Sequence, residues 1–333
     1  MNRLLHILLS GALGLVCQQA YSQQTPEKFI QETRYLLYMP PAYSSDSSTR
    51  WPLVIFLHGS GESGMDLEKV KMHGPPKLVE QGKKFPFILV SPQATNGWQS
   101  PVLIEMIRSV KSSLRVDPDR IYLTGLSMGG FGTWDLAMKY PEEFAAIAPI
   151  CGGGDTAKIY RLQYMPVWNF HGAKDDAVPL SASEKMMNAL KRYNKEARFT
   201  IYPEAGHDSW TATYNNDSFY TWLLGQKRFK FTETKLPADR FKQYEGEYLS
   251  NENDTLVVYV KGDSLLLNTA KGRNYVIQLK NYAPDIFYIN ENNPAQIRFA
   301  RNRLGTIDRF IYEGEDIVVF PKIATTIPRK KGK

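Results

Sequence analysis

Ile121-Tyr122-Leu123-Thr124-Gly125-Leu126-Ser127-Met128-Gly129-Gly130-Phe131-Gly132-Thr133-Trp134 decides how the rest of this 333-residue chain is read. Its first four residues are β-branched, aromatic or aliphatic, as in a buried strand. From Met128 to Tyr140, apolar residues recur at helical spacing until Pro141 ends the run. A G-x-S-x-G turn joins the two, with Ser127 at its centre. A serine in such a turn sits on a sharp bend between strand and helix, and the flanking glycines let backbone approach closely. The stretch is therefore read as a nucleophile elbow that lifts the Ser127 hydroxyl to the top of a sheet.

Working outward, short β-rich runs alternate with helical or polar stretches, which predicts an α/β fold with a mostly parallel sheet covered by helices on both faces. Seven strands are expected, at 33–39, 53–57, 87–91, 121–125, 145–150, 167–170 and 198–202. The turn residues Asp117-Pro118-Asp119 are expected to bound the fourth. Helices are expected at 102–114, 128–140, 181–193 and 218–224. After Gln226 the pattern changes. A basic, polar connector at 227–237 leads into strands at roughly ten-residue spacing with no helix between them. These are expected at 246–249, 256–260, 264–268, 275–279, 286–289, 297–300, 307–312 and 317–320, forming antiparallel hairpins that close into a small C-terminal all-β barrel or sandwich.

The amino terminus has a positive start at Arg3 and an apolar run from Leu4 to Val16, too short to span a bilayer. With Ala20-Tyr21-Ser22 as a cleavage site, residues 1–22 read as a signal peptide. The mature chain would begin at Gln23, in a secreted or periplasmic protein with no transmembrane segment. Lipid attachment at Cys17 is the rival reading, and Val16 is a poor residue to precede it. The expected organisation is a catalytic domain at 23–228 and a β-domain at 237–323. Of two cysteines, Cys17 leaves with the signal, so Cys151 reads as a small buried hydrophobe and no disulfide framework is expected. The net charge of +7 falls to +2 once Arg3 and the terminal Arg329, Lys330, Lys331 and Lys333 are set aside. That balance does not suit nucleic-acid binding.

A serine nucleophile needs a base to take its proton and a carboxylate to orient that base. Asp175 follows a strand in His171-Gly172-Ala173-Lys174-Asp175-Asp176, which puts it at the same sheet edge as Ser127; Asp176 is its neighbour and rival. His207 leaves the last strand in Tyr202-Pro203-Glu204-Ala205-Gly206-His207 and can turn back toward the nucleophile. His58 and His171 end strands and precede glycine, so they read as structural hydrogen-bonding residues. His73 lies in a loop without a strand-end carboxylate partner. Backbone N–H groups of Met128 and Ser60 are the expected oxyanion donors, Ser60 lying in His58-Gly59-Ser60-Gly61-Glu62. That loop lacks the lysine of a phosphate-binding loop. The scattered histidines offer no metal set, and no cofactor is expected. Trp98 and Trp210 are candidate sugar-stacking residues beside the cleft.

At these residues the chain resembles an α/β-hydrolase family of secreted esterases related to polyhydroxybutyrate depolymerases, feruloyl esterases and acetyl xylan esterases. The matching phrases are Leu57-His58-Gly59-x-Gly61-Glu62, Asp117-Pro118-Asp119-Arg120-Ile121-Tyr122, the elbow with its helix, Phe170-His171-Gly172-x-x-Asp175-x-x-Val178-Pro179 and Tyr202-Pro203-x-x-Gly206-His207. They lie within 31–224. The resemblance implies a Ser127, Asp175, His207 triad and a small-molecule or oligosaccharide ester substrate. The remaining third is loosely similar to β-domains appended to serine hydrolases and carries no function across. A serine peptidase of prolyl-oligopeptidase type is one alternative, although about ten mature residues before the first strand leave no room for its propeller. A non-catalytic glycan-binding homologue is another, which an intact Ser, Asp and His in order speaks against. Only about fifteen residues separate Ile150 from Val167, so no lid is expected over the cleft.

Overall fold

The computed structural model describes residues 32–250, 255–269 and 275–323. The expected signal peptide at 1–22, its cleavage site and Cys17 lie outside them. Two β-sheets organise the described residues. The first follows from β2 (Trp51–Leu57), whose residues alternate between two apolar layers: Leu53, Ile55 and Leu57 face one, Val54 and Phe56 the other. A strand buried on both faces reads as an unbroken apolar run, as this one does.

Around it stand β1 (Tyr35–Tyr38), β3 (Ile88–Pro92), β4 (Val116–Leu126), β5 (Ala146–Ile150), β6 (Trp168–Gly172) and β7 (Arg198–Tyr202). Their order is β1-β3-β2-β4-β5-β6-β7, parallel throughout except for the antiparallel edge strand β1. One layer is covered by α2 (Ser100–Ser113), α3 (Met128–Lys139) and α4 (Leu180–Leu190), through Leu103, Ile107, Trp134, Leu136, Met186 and Leu190. The other is covered by α1 (Gly74–Glu80), α5 (Trp210–Tyr214) and α6 (Asp217–Leu224), through Leu78, Tyr214, Phe219 and Leu223.

All seven strands fall where the sequence places them, with one difference in extent, and three short helices at 74–80, 210–214 and 238–241 are additional to those expected. The turn expected at Asp117-Pro118-Asp119 is part of β4, and the Asp117 carboxylate there takes the N–H of Asp119 and the Arg120 guanidinium. Trp51 pairs with Val116 and Leu53 with Ile121, so the register shifts between these pairs and the extra residues, Pro118 among them, bulge out of the ladder. Helix α1 was missed because Gly74-Pro75-Pro76 reads as a loop. Gly74 takes a φ of 66° with its Cα against the Phe56 ring, and the prolines sit at the helix start, where a missing N–H costs nothing.

The short helix α7 (Ala238–Phe241) leads into the second sheet: β8 (Gly246–Leu249), β9 (Thr255–Lys261), β10 (Ser264–Thr269), β11 (Val276–Ala283), β12 (Ile286–Tyr288), β13 (Gln296–Arg301), β14 (Ile307–Glu313) and β15 (Ile317–Pro321). They form an antiparallel meander in chain order. Its ends meet: Tyr248 bridges Lys322, and Ile323 N–H donates to the Glu247 carbonyl at 2.8 Å, so the sheet closes as a barrel. The interior is filled by Tyr248, Leu265, Leu279, Phe287, Phe299 and Phe310, with Phe241 and Tyr244 packed against them.

The connector is less polar than its composition suggests. Phe229 stacks on Tyr164 with ring centroids 4.1 Å apart, Phe231 is buried and stacks on Tyr288, and Arg228 bonds Asp119 at 2.9 Å and Asn292 at 3.1 Å. Tyr164 also donates to Gln296 at 2.6 Å, and Tyr160 to the Glu315 carbonyl at 2.9 Å.

Candidate active site

Ser127 holds φ 52° and ψ −117°, a conformation that L residues avoid, and its N–H donates to the Ile150 carbonyl at 3.0 Å. The strain is fixed by close backbone packing. A Cβ at Gly129 would lie 2.0 Å from the Leu57 carbonyl oxygen, and one at Gly125 2.5 Å from that of Gly129. The elbow therefore needs glycine at these two positions.

Strand ends bring the other residues to it. His207 follows β7, and its Nε2 lies 3.0 Å from Ser127 Oγ. Its Nδ1 lies 2.8 Å from Asp175 Oδ2, on the loop after β6. The other carboxylate oxygen, Oδ1, accepts the N–H groups of Ala177 at 3.0 Å and Val178 at 2.8 Å. Burial of the Asp175 side chain pushes its carboxyl up, but the hydrogen bond from His207 and the two backbone donors outweigh this, and the net direction is down. Asp175 thus stays ionised and favours the Nδ1–H tautomer of His207, which leaves Nε2 as the acceptor facing the serine. Asp176 is exposed and makes none of these contacts.

The expected oxyanion donors both begin helices. Met128 is the first residue of α3 and Ser60 the first of a 3₁₀ turn, Ser60–Glu62, so neither N–H has an intrahelical acceptor. The two elements adjoin, since a Cβ on Gly59 would stand 3.6 Å from the Ser127 Cβ. His58 supports the loop from beneath, its Nδ1 2.6 Å from the Gly59 carbonyl oxygen while its Nε2 accepts the Ala94 N–H at 3.0 Å. Burial lowers its pKa, which keeps the ring neutral for this donor and acceptor pair.

Three aromatic or imidazole neighbours stand close to these residues. Trp210 is 8% exposed and packs edge-on against His207 and His73 at 5.1 and 5.4 Å, so it braces the His207 ring and lacks the open face that sugar stacking, expected of it, would need. Trp98 is half-buried, tilted against His58, and donates its indole N–H to the His58 carbonyl at 3.1 Å. His73 does have a carboxylate partner. Glu62, buried on the neighbouring loop, brings Oε1 to 3.6 Å from His73 Nε2, a pairing between separate turns that no local spacing signals.

Cys151 is fully buried at φ 41°, and burial pushes its thiol up to about 12, so it keeps its proton. With Asp175 and His207 it forms the one cluster among the described residues whose ligand atoms approach within 4.8 Å of one another. A protonated thiol beside an imidazole already bonded to a carboxylate is a poor metal set.

Residues 91–220 match the dienelactone hydrolase family, and residues 230–321 match a domain of unknown function (DUF3471). The first match lies within the segment that forms the mostly parallel sheet, and the second coincides with the barrel. Poly(3-hydroxyalkanoate) depolymerase C of Paucimonas lemoignei is 34% identical over 121 residues, covering 31% of this chain and 28% of that protein. Probable feruloyl esterase C of Aspergillus terreus is 27% identical over 175 residues, covering 50% of this chain and 63% of that protein. Among solved structures, a thermostable esterase superposes with a TM-score of 0.51 at 33% identity, over 58% of this chain and 59% of that one. The chain thus spans less than two thirds of the length of each of these relatives. The mostly parallel first sheet is an α/β-hydrolase fold.

Proposed function

We propose that this protein is a serine carboxylic-ester hydrolase, with Ser127, His207 and Asp175 as its triad. The observation that carries the reading is the continuous hydrogen-bonded line from Asp175 Oδ2 through His207 to Ser127 Oγ, with steps of 2.8 and 3.0 Å. Ser127 Oγ attacks the ester carbonyl carbon while His207 Nε2 takes the hydroxyl proton, and Asp175 stabilises the imidazolium that forms. The carbonyl oxygen becomes an oxyanion that accepts from the N–H groups of Met128 and Ser60. Collapse breaks the bond to the alcohol oxygen, which leaves with the proton from His207. Water then attacks the acyl enzyme by the same route, and Ser127 recovers its proton as the acid is released.

The substrates proposed are short-acyl or feruloyl esters of carbohydrates, by analogy with relatives named for such activities. The segment from Cys151 to Met165 supports this, because it holds only a 3₁₀ turn, Ile159–Leu162, too little to form a lid. The proposed setting is outside the cytoplasm, after removal of residues 1–22; among the described residues no helix is long and apolar enough to cross a membrane. The proposed division is a catalytic domain at 23–228 and a β-domain at 237–323. Acetylated and feruloylated oligosaccharides, assayed beside a peptide anilide, test the reading: release of acid from the sugar esters alone supports it, and cleavage of the anilide alone would replace it with a peptidase.

A further inference from the structure

His171 is the penultimate residue of β6, its ring fully buried, four residues before the proposed acid. Its Nε2 faces two acceptors at once, the Val178 carbonyl oxygen at 2.9 Å and Asp175 Oδ2 at 3.2 Å. Its Nδ1 lies 2.7 Å from Ser183 Oγ, which is itself 2.9 Å from the Gly152 carbonyl oxygen. These distances constrain the proton. A bare Nε2 would set a lone pair against two oxygen lone pairs in a site with no exposed surface, where an unsatisfied polar group is costly. Two arrangements avoid that. Either the Ser183 hydroxyl donates to Nδ1 of a neutral ring, or it turns to Gly152 while Nδ1–H donates to Ser183. In both, Nε2 carries a proton.

We propose that His171 is a positioning residue for Asp175, whose Nε2–H pins the 175–178 turn and shares the acid's Oδ2 with His207; this rests on the triad assigned above. The turn is closed on both groups of Val178. Its N–H is held by Asp175 Oδ1, and its C=O by His171. Oδ1 thus carries two backbone donors while Oδ2 stands between two imidazoles, so the carboxylate plane cannot rotate without breaking a contact. The contacts of His171 are to Ser183, Val178 and the acid, and none of these is the serine nucleophile. Loss of His171 therefore misorients His207 and lowers turnover while leaving substrate binding alone.

The test compares His171→Asn and His171→Gln with the native enzyme on a short p-nitrophenyl ester, with histidine-ring nitrogen NMR on the same proteins. The Gln side-chain amide reaches where Nε2 stood, and the Asn amide falls short. Asn is expected to lower kcat on the order of tenfold, the worth of a hydrogen bond to a charged group, with KM within about twofold of native. Gln is expected to recover most of the loss. In the native protein, His171 is expected to be protonated at Nε2, and the downfield Nδ1–H signal of His207 is expected to move in the Asn variant and return in Gln. A folded Asn variant with native kcat and an unmoved His207 signal would overturn the proposal. So would a native His171 protonated at Nδ1 alone, which keeps the proposal testable if the Asn variant does not fold. Ser127→Ala run in parallel separates the two readings: an inactive Ser127→Ala beside a fully active His171→Asn removes only the role of His171, whereas an active Ser127→Ala removes the triad.

Discussion

His207 Nε2 lies 3.0 Å from Ser127 Oγ, although 80 residues of chain separate them. The contact exists because β4 and β7 are parallel members of one sheet whose carboxyl ends open on the same edge. An elbow leaves the first strand and a glycine-containing loop the other. Ligands of open α/β sheets bind at such edges, and the account below follows from that placement.

Asp175 and Asp176 give the sharpest test of the acid. Asp175→Asn is expected to lower kcat on the order of 10⁴-fold, since an amide favours the wrong His207 tautomer. Asp176→Asn, at an exposed position, should leave kcat near native. Equal effects would undo the assignment.

The Asp175 carboxyl also titrates below its ordinary value in the folded protein. Its contribution to stability is therefore complete above the ordinary carboxylate range and is lost as pH falls through the lowered value. Urea melts at neutral and acid pH, on native protein and Asp175→Asn, should show a difference that shrinks on acidification. A difference that grows would reverse the sign.

Glycine substitutions should separate packing from loop freedom. Gly129→Ala sets a methyl against the Leu57 backbone and should destabilise by about 3 kcal/mol or more, as overpacking against main chain does. Gly61→Ala, with nothing within 4 Å of the new Cβ, should melt with the native protein. Thermal unfolding of both variants decides it.

Truncation after Arg228 is expected to leave a protein that still labels at Ser127, because the proposed triad precedes that residue. It should melt lower by roughly 5 °C or more, because Tyr164 loses the Phe229 stack and its bond to Gln296. An insoluble product would mean that the barrel completes the core of the first sheet.

Much of this was legible in the sequence. Strand positions came from apolar runs whose burial is set by the sheet, and Ser127, Asp175 and His207 came from strand-end loops, so the structure brings together what local signals had placed. What escaped depends on contacts between distant loops. Trp210 looked available for sugar stacking because nothing near it in sequence announces its burial beside His207 and His73. Glu62 meets His73 only through the packing of two turns. The aromatic anchors Phe229 and Phe231 sat among lysines and arginines that made the connector read as polar.

The short 151–165 segment makes a kinetic prediction. Activity on p-nitrophenyl esters should peak at short acyl chains and be unchanged by an oil–water interface. A long-chain preference with interfacial activation would require a lid that the 151–165 segment does not provide.

The central claim is that Ser127 is the nucleophile, and intact mass after diisopropyl fluorophosphonate treatment tests it most directly. The account predicts a single phosphonyl adduct, mapped to Ser127 by peptide sequencing, with complete loss of ester hydrolysis and no adduct on Ser127→Ala. An unmodified, fully active native protein, or an adduct on Ser127→Ala, would contradict it.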